Sequence, residues 1–194
     1  MIGKMKFFVW MGALGALLMV SRASFAANGS ALKEAEGKTY YTAVNIWYED
    51  PKEIPSTNYH KGQLLPINTQ VKIGTMRKNS FTFTDGDNVE YTIQIVRKHT
   101  PIPNEELFNR YFSRTKIDLG QFFGKFNKDE LKNIEAGTIA VGMSKRAVIA
   151  AYGYPPSHMT PSLEKNPWKY WESRFSNFYV FFKDGKVSRV GNAE

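Results

Sequence analysis

The chain holds three histidines, His60, His99 and His158, and no cysteine, so few side chains could do covalent or metal chemistry. The histidines fall in no HExxH, HxH or comparable ligand spacing and read as exposed loop residues. Without cysteine there are no thiol nucleophiles, zinc–thiolate sites, iron–sulfur clusters or disulfides, and no lipidated cysteine at a mature N-terminus. Asp85, Asp87 and Glu90 lie close together, but a calcium loop also needs its glycine and a bidentate glutamate at the twelfth position. They read as a hairpin turn. No serine sits in a GxSxG or SxxK pattern, and Glu105 and Glu106 lie where a helix start favours negative charge. Gly137 and Gly142 read as helix punctuation, not as a phosphate cradle. The expectation is a non-enzyme with no catalytic residue, no cofactor and no metal.

The formal charge of +8 changes meaning once the N-terminus is read. Residues 1–26 carry Lys4 and Lys6, then 14 uncharged residues from Phe7 to Val20, then Ser21, Arg22 and a close of Ala-Ser-Phe-Ala. That is the plan of a secretory signal peptide, and the apolar run ends short of the roughly 20 residues a membrane span needs. Small residues at Ser24 and Ala26 predict a mature N-terminus at Ala27, followed by a mobile lead-in over 27–37. Taking away Lys4, Lys6 and Arg22 from the 26 Lys and Arg leaves 23 against 18 Asp and Glu. The remaining excess is dispersed, which argues against nucleic acid as the partner. The mature chain is expected to be periplasmic or secreted, with no transmembrane segment.

Residues 38–100 read as β-rich. Phe81 and Phe83 alternate with polar residues, Asp85-Gly86-Asp87-Asn88 turns, and Val89, Tyr91, Ile93 and Ile95 alternate again, which predicts a hairpin with one apolar face. The run Leu64 to Ile73 ends in another alternating strand, with Pro66 at a strand start or an edge. About five strands in 60 residues predict a small antiparallel barrel-like domain, and Gly62 to Ile73 resembles the small Src-homology-type barrels of bacterial envelope proteins. The two prolines Pro101 and Pro103 break the pattern and mark the expected domain boundary. Beyond them Asn104 is expected to cap a helix holding Leu107, Phe108, Tyr111 and Phe112, and Phe122, Phe123 and Phe126 form a strand or loop.

From Asn127 the sequence is a series of helix signals. Asn127 and Glu130 form a capping box ahead of Leu131 and Ile134, and Gly137 stops the helix. Ser144 caps the next helix, with Met143 and Val148 as its hydrophobic staple and a left-handed Gly153 before Pro155 as its stop. Lys145 and Arg146 are placed on that helix's solvated side. Strands follow at Trp168-Lys-Tyr170-Trp171, at Phe178 to Phe182 and, after the Asp184-Gly185 turn, at Val187 to Val190. This order, carried by Ile134, Gly137, Gly142, Met143, Ser144, Val148, Gly153, Pro155, Trp168, Tyr170, Phe182, Asp184, Gly185 and Val187, resembles the BamE/SmpA-like family of bacterial envelope proteins over roughly 127–190. The resemblance implies two helices on one face of a three-stranded antiparallel sheet, and a non-catalytic role in outer-membrane protein assembly or envelope integrity. Members of that family are commonly lipoproteins, whereas this chain lacks the cysteine and carries a β-rich N-terminal half. The fold class expected is α+β, a barrel-like domain over 38–100 followed by a BamE-like domain over 104–194.

Period two in that sheet puts Trp168, Tyr170, Phe178, Val180 and Phe182 toward the helices and leaves Trp171, Tyr179 and Phe181 on the other face. Those three form the candidate interaction surface, covered either by the N-terminal half or by an external protein partner in the cell envelope, with outer-membrane association as one setting. A rival reading has the barrel bind peptidoglycan or another glycan through Tyr40, Tyr41, Trp47, Tyr48 and Tyr59. A third is an enzyme inhibitor, since the helix-helix-sheet plan resembles secreted β-lactamase-inhibitor proteins that grip an enzyme with an aromatic sheet face.

Overall fold

A computed structural model describes residues 32–120 and 126–192. The export signal, the Ala27 terminus, and Phe122 and Phe123 lie outside the described residues. The chain is α+β, with curled sheets and three helices among the described residues. A six-stranded sheet runs in the order β3 (Ile54–Pro55), β7 (Glu90–Gln94), β6 (Ser80–Asp85), β5 (Gln70–Met76), β1 (Thr39–Thr42) and β8 (Phe112–Ser113). Its centre is the hairpin read from the sequence. Register places Ile73 opposite Phe83, Phe83 opposite Tyr91 and Phe81 opposite Ile93, so period two collects all five on one buried face. The left-handed turn residue is Asn88, at φ 62°, not Gly86. Asp85 Oδ1 accepts from the Asp87 and Val89 amides, an Asx turn that sets this geometry locally.

Three expectations for the first half are corrected. The run 64–73 is two strands in different sheets: β4 (Gln63–Leu65) pairs with β2 (Ile46–Tyr48), and Pro66 lies just past its end. β3 runs parallel to β7, so the sheet is not wholly antiparallel. The boundary at 101–103 does not separate two cores, because β8 pairs with β1 of the six-stranded sheet and α1 (Asn104–Tyr111) packs on it. Phe108 meets Tyr40 edge to face at 5.3 Å and Phe112 meets Phe83 at 5.0 Å. These aromatics are too large to be covered by α1 alone, and burying each is worth about 1.5–3 kcal/mol. Asn104 does not cap α1. Its Oδ1 accepts from the Arg97 guanidinium and its Nδ2 donates to Lys78 O at 3.1 Å.

The second half has α2 (Lys128–Ala136), α3 (Lys145–Tyr152) and a three-stranded antiparallel sheet in the order β11 (Lys186–Gly191), β10 (Asn177–Lys183), β9 (Trp168–Trp171). Both helix starts follow from the sequence. The Asn127–Glu130 capping box is reciprocal, and Ser144 Oγ accepts the Ala147 amide at 3.2 Å. Gly137 is left-handed at φ 65°, ψ 36°. Gly153 is not. At φ 73°, ψ −174° it occupies a region open essentially only to glycine, and a Cβ there would stand 2.7 Å from Asn58 Nδ2. The buried apolar side chains of both halves form one continuous core, from Tyr40 and Phe81 through Ala147 to Trp168 and Val187.

Candidate functional site

Helix α3 lies at the centre of the arrangement: loops from the first half complete its C-terminus, and α2 completes its N-terminus. The last carbonyls of a helix have no partner within it. Ile149 O accepts from the Gly153 amide at 2.8 Å, Ala150 O from the Asn45 amide at 3.1 Å, and Ala151 O from Asn45 Nδ2 at 3.0 Å. Tyr152 O faces Asn58 Nδ2 at 2.9 Å and His60 Nε2 at 2.6 Å. Asn45 also donates to Ile134 O at 2.6 Å and accepts the Ile67 amide at 2.7 Å, so one buried side chain joins α2, α3 and the β4–β5 connection. At the other end, Glu130 accepts the Asn127 and Ser144 amides at 3.0 and 2.8 Å. Burial pushes its carboxyl up, but these bonds, the Ser144 hydroxyl and the Lys186 charge outweigh it, and the pKa falls below the ordinary glutamate value.

With α3 fixed, the inner face of the three-stranded sheet is a packed layer. Trp168, Tyr170 and Val180 are wholly buried and Phe182 and Val187 nearly so. The Tyr170 hydroxyl donates to Gly153 O at 2.9 Å and Trp168 Nε1 donates to Leu163 O at 3.1 Å, which satisfies the polar ends of both rings. Lys145 is not on a solvated side. It is half-buried, its Nζ lies 5.4 Å from both the Trp168 and Phe182 rings, and it donates to Leu163 O at 2.7 Å.

The outer face carries Trp171, Tyr179 and Phe181, all half-buried. Lys169, opposite Tyr179 in the register, places Nζ 5.0 Å from the Trp171 ring and 5.2 Å from the Tyr179 ring. Arg189, opposite Phe181, sets its guanidinium 3.8 Å over that ring. Among the described residues, the ring contacts of Tyr179 and Phe181 are with each other, at 6.3 Å, and with these two cations. Among the described residues the first half reaches the Trp171 end, where Tyr59 bridges Trp171 and the His60 amide donates to Trp171 O at 3.3 Å, while His158 of the second half stacks on the indole at 6.5 Å. Trp171 Nε1 is buried with no hydrogen-bond partner among the described residues. The sequence signal for Lys169 and Arg189 was present in the same alternation that placed the aromatics.

The histidines lie in loops but are not exposed: all three are half-buried, and two of them meet. His99 and His158 stack at 4.6 Å, His158 Nδ1 lies 3.1 Å from His99 O, and Thr57 Oγ1 lies 2.9 Å from His99 Nδ1. Burial lowers the His158 pKa and the neighbouring charges of His99, Lys169 and Lys98 lower it further, against the bond to His99. Two imidazoles are short of a metal set, and among the described residues no group of three or more His, Asp or Glu is placed to hold one. The aromatics proposed for glycan binding share no platform. Tyr40 is core against Phe108, Tyr48 packs on Tyr91, and Trp47 faces His60 at 6.4 Å. No helix of the described residues is long and apolar enough to cross a membrane. No family model, curated protein or solved structure matches the chain.

Proposed function

We propose that the chain is a non-catalytic, periplasmic protein-interaction module that works at the cell envelope, with Trp171, Tyr179 and Phe181 as its contact row. The observation carrying this reading is the outer face itself, three large aromatics in alternation on a sheet face whose inner side is already a full core. The cap-staple-turn series from Asn127 to Val187 supports a BamE-like arrangement, and residues 1–26 support export. The envelope setting and the link to outer-membrane assembly rest on that resemblance.

Photo-crosslinkers placed singly at Tyr179 and Phe181, in cells exporting the chain, test the reading. A discrete crosslinked protein adduct at these positions, missing with crosslinkers on the exposed face of α2, is expected. Adducts only with peptidoglycan would transfer the assignment to the cell-wall reading. Mass spectrometry of the exported protein should give an N-terminus at Ala27.

A further inference from the structure

We propose that the outer face of the three-stranded sheet receives an acidic polypeptide segment, its carboxylates pairing with Lys169 and Arg189 while those cations stay seated on their rings. The inference rests on the interface reading above and adds the chemistry of the partner. Each cation lies against a ring, Lys169 by Trp171 and Tyr179 and Arg189 by Phe181, and neither makes an ion pair among the described residues. A long side chain resting on a ring has less freedom left to lose on binding; Arg189 Nη1 already donates to Asn192 O at 3.1 Å, which leaves its remaining N–H groups for a carboxylate. Lys183 continues the row on β10. Lys98 extends the positive character at the Trp171 end, where Lys98 and Lys169 both bear on His158. The nearest acids on this sheet, Glu172 and Asp184, stand at strand ends outside the row.

Geometry favours a polypeptide over other polyanions. Lys169 faces Tyr179 across the register and Arg189 faces Phe181, and those two rings are two residues apart, roughly 6.5–7 Å along β10. The two cations come from the strands on either side of β10, so an extended segment lying over β10 has one on each flank within reach of its alternate side chains. Nucleic-acid bases and acyl chains would need bare ring faces to stack on or to insert. Here the cations already occupy those faces, and a carboxylate can pair from above without displacing them.

The test titrates the purified chain with poly-L-glutamate, with phosphatidylglycerol vesicles and with single-stranded DNA. Two double variants are carried alongside, Lys169→Glu with Arg189→Glu, and Lys169→Gln with Arg189→Gln, each checked for an unchanged melting temperature. Poly-L-glutamate is expected to bind, to weaken on the order of tenfold or more in the glutamine variant and further in the glutamate variant, and to weaken with salt. Equal binding by parent and glutamine variant, or binding of vesicles or DNA without poly-L-glutamate, overturns the proposal. The two readings fail separately. Crosslinks at Phe181 that persist in the charge-reversed variant overturn the acidic partner and leave the interface, whereas poly-L-glutamate binding with no crosslink at either ring overturns the interface alone.

Discussion

His60 and Tyr152 are locked face to face. Their rings stack at 3.3 Å with 14° between planes, and His60 Nε2 lies 2.6 Å from the Tyr152 carbonyl. A residue of the first half thus closes the C-terminus of a helix in the second. The two ring nitrogens of His60 face two carbonyl oxygens, Tyr152 O and, 3.2 Å from Nδ1, Trp171 O, of which a neutral ring can donate to only one. Burial pushes the imidazole pKa down to about 3 against the pull of these two carbonyls.

That depression makes acid a specific stress. The unfolded chain takes up the His60 proton near 6.5 and the folded chain only near 3, so the contribution is complete above about pH 6.5 and declines as pH falls toward 3. The loss is on the order of 5 kcal/mol. Urea midpoints across that window should fall for the parent, and the slope should flatten in His60→Phe. An unchanged slope in the variant would place the acid sensitivity elsewhere.

Asn45 is the costliest small polar residue to remove. Asn45→Ala strands the Ala151 carbonyl and the Ile67 amide, leaves the Ile134 carbonyl only the Gly137 amide at 3.2 Å, and is expected to lower stability by about 2 kcal/mol or more. Asn45→Asp keeps the acceptor for Ile67 but sets a carboxylate against two carbonyls. Its melting temperature should therefore recover as pH falls through the carboxyl range, opposite to the parent.

The two faces of β9 separate stability from contact. Trp168→Ala removes a wholly buried ring at a cost of about 3–5 kcal/mol, whereas Trp171→Ala should leave the melting temperature within a few degrees. The Trp171 change should weaken partner association by about 2 kcal/mol or more. Equal, large losses of stability in calorimetry would make the outer face a second core.

Glycine positions give a matched pair. Gly153→Ala meets both a glycine-only backbone and Asn58 Nδ2 at 2.7 Å, while Gly185, at φ 74°, has open space around a Cβ. Chemical denaturation should show a loss of about 1 kcal/mol for Gly185→Ala and clearly more for Gly153→Ala.

One shared core predicts one transition. The Pro101–Pro103 segment is held by Arg97, whose guanidinium donates to Ile102 O and Lys78 O at 3.1 and 2.7 Å. Fragments 38–100 and 104–192 made separately should lack cooperative melting, and the whole chain should unfold in a single calorimetric peak. A folded fragment would restore the two-domain division.

Much of what is local was legible in the sequence, though not the cap of α1 or the conformation of Gly153. The Asn127 capping box, the Ser144 cap and the central hairpin depend on hydrogen bonds within a few residues, and the alternation in β9 and β10 fixes which of Trp168 and Trp171 faces the helices. What joins distant segments was not. Tyr40, Phe81 and Phe108 needed one another to be buried, so α1 crossed the proline boundary to reach the first sheet. Asn45, Asn58 and His60 look like ordinary loop residues, because their role is defined by carbonyls about 90 to 110 positions away. Lys169 and Arg189 were readable as outward, but their seats on Trp171, Tyr179 and Phe181 depend on cross-strand register, which only the folded sheet sets.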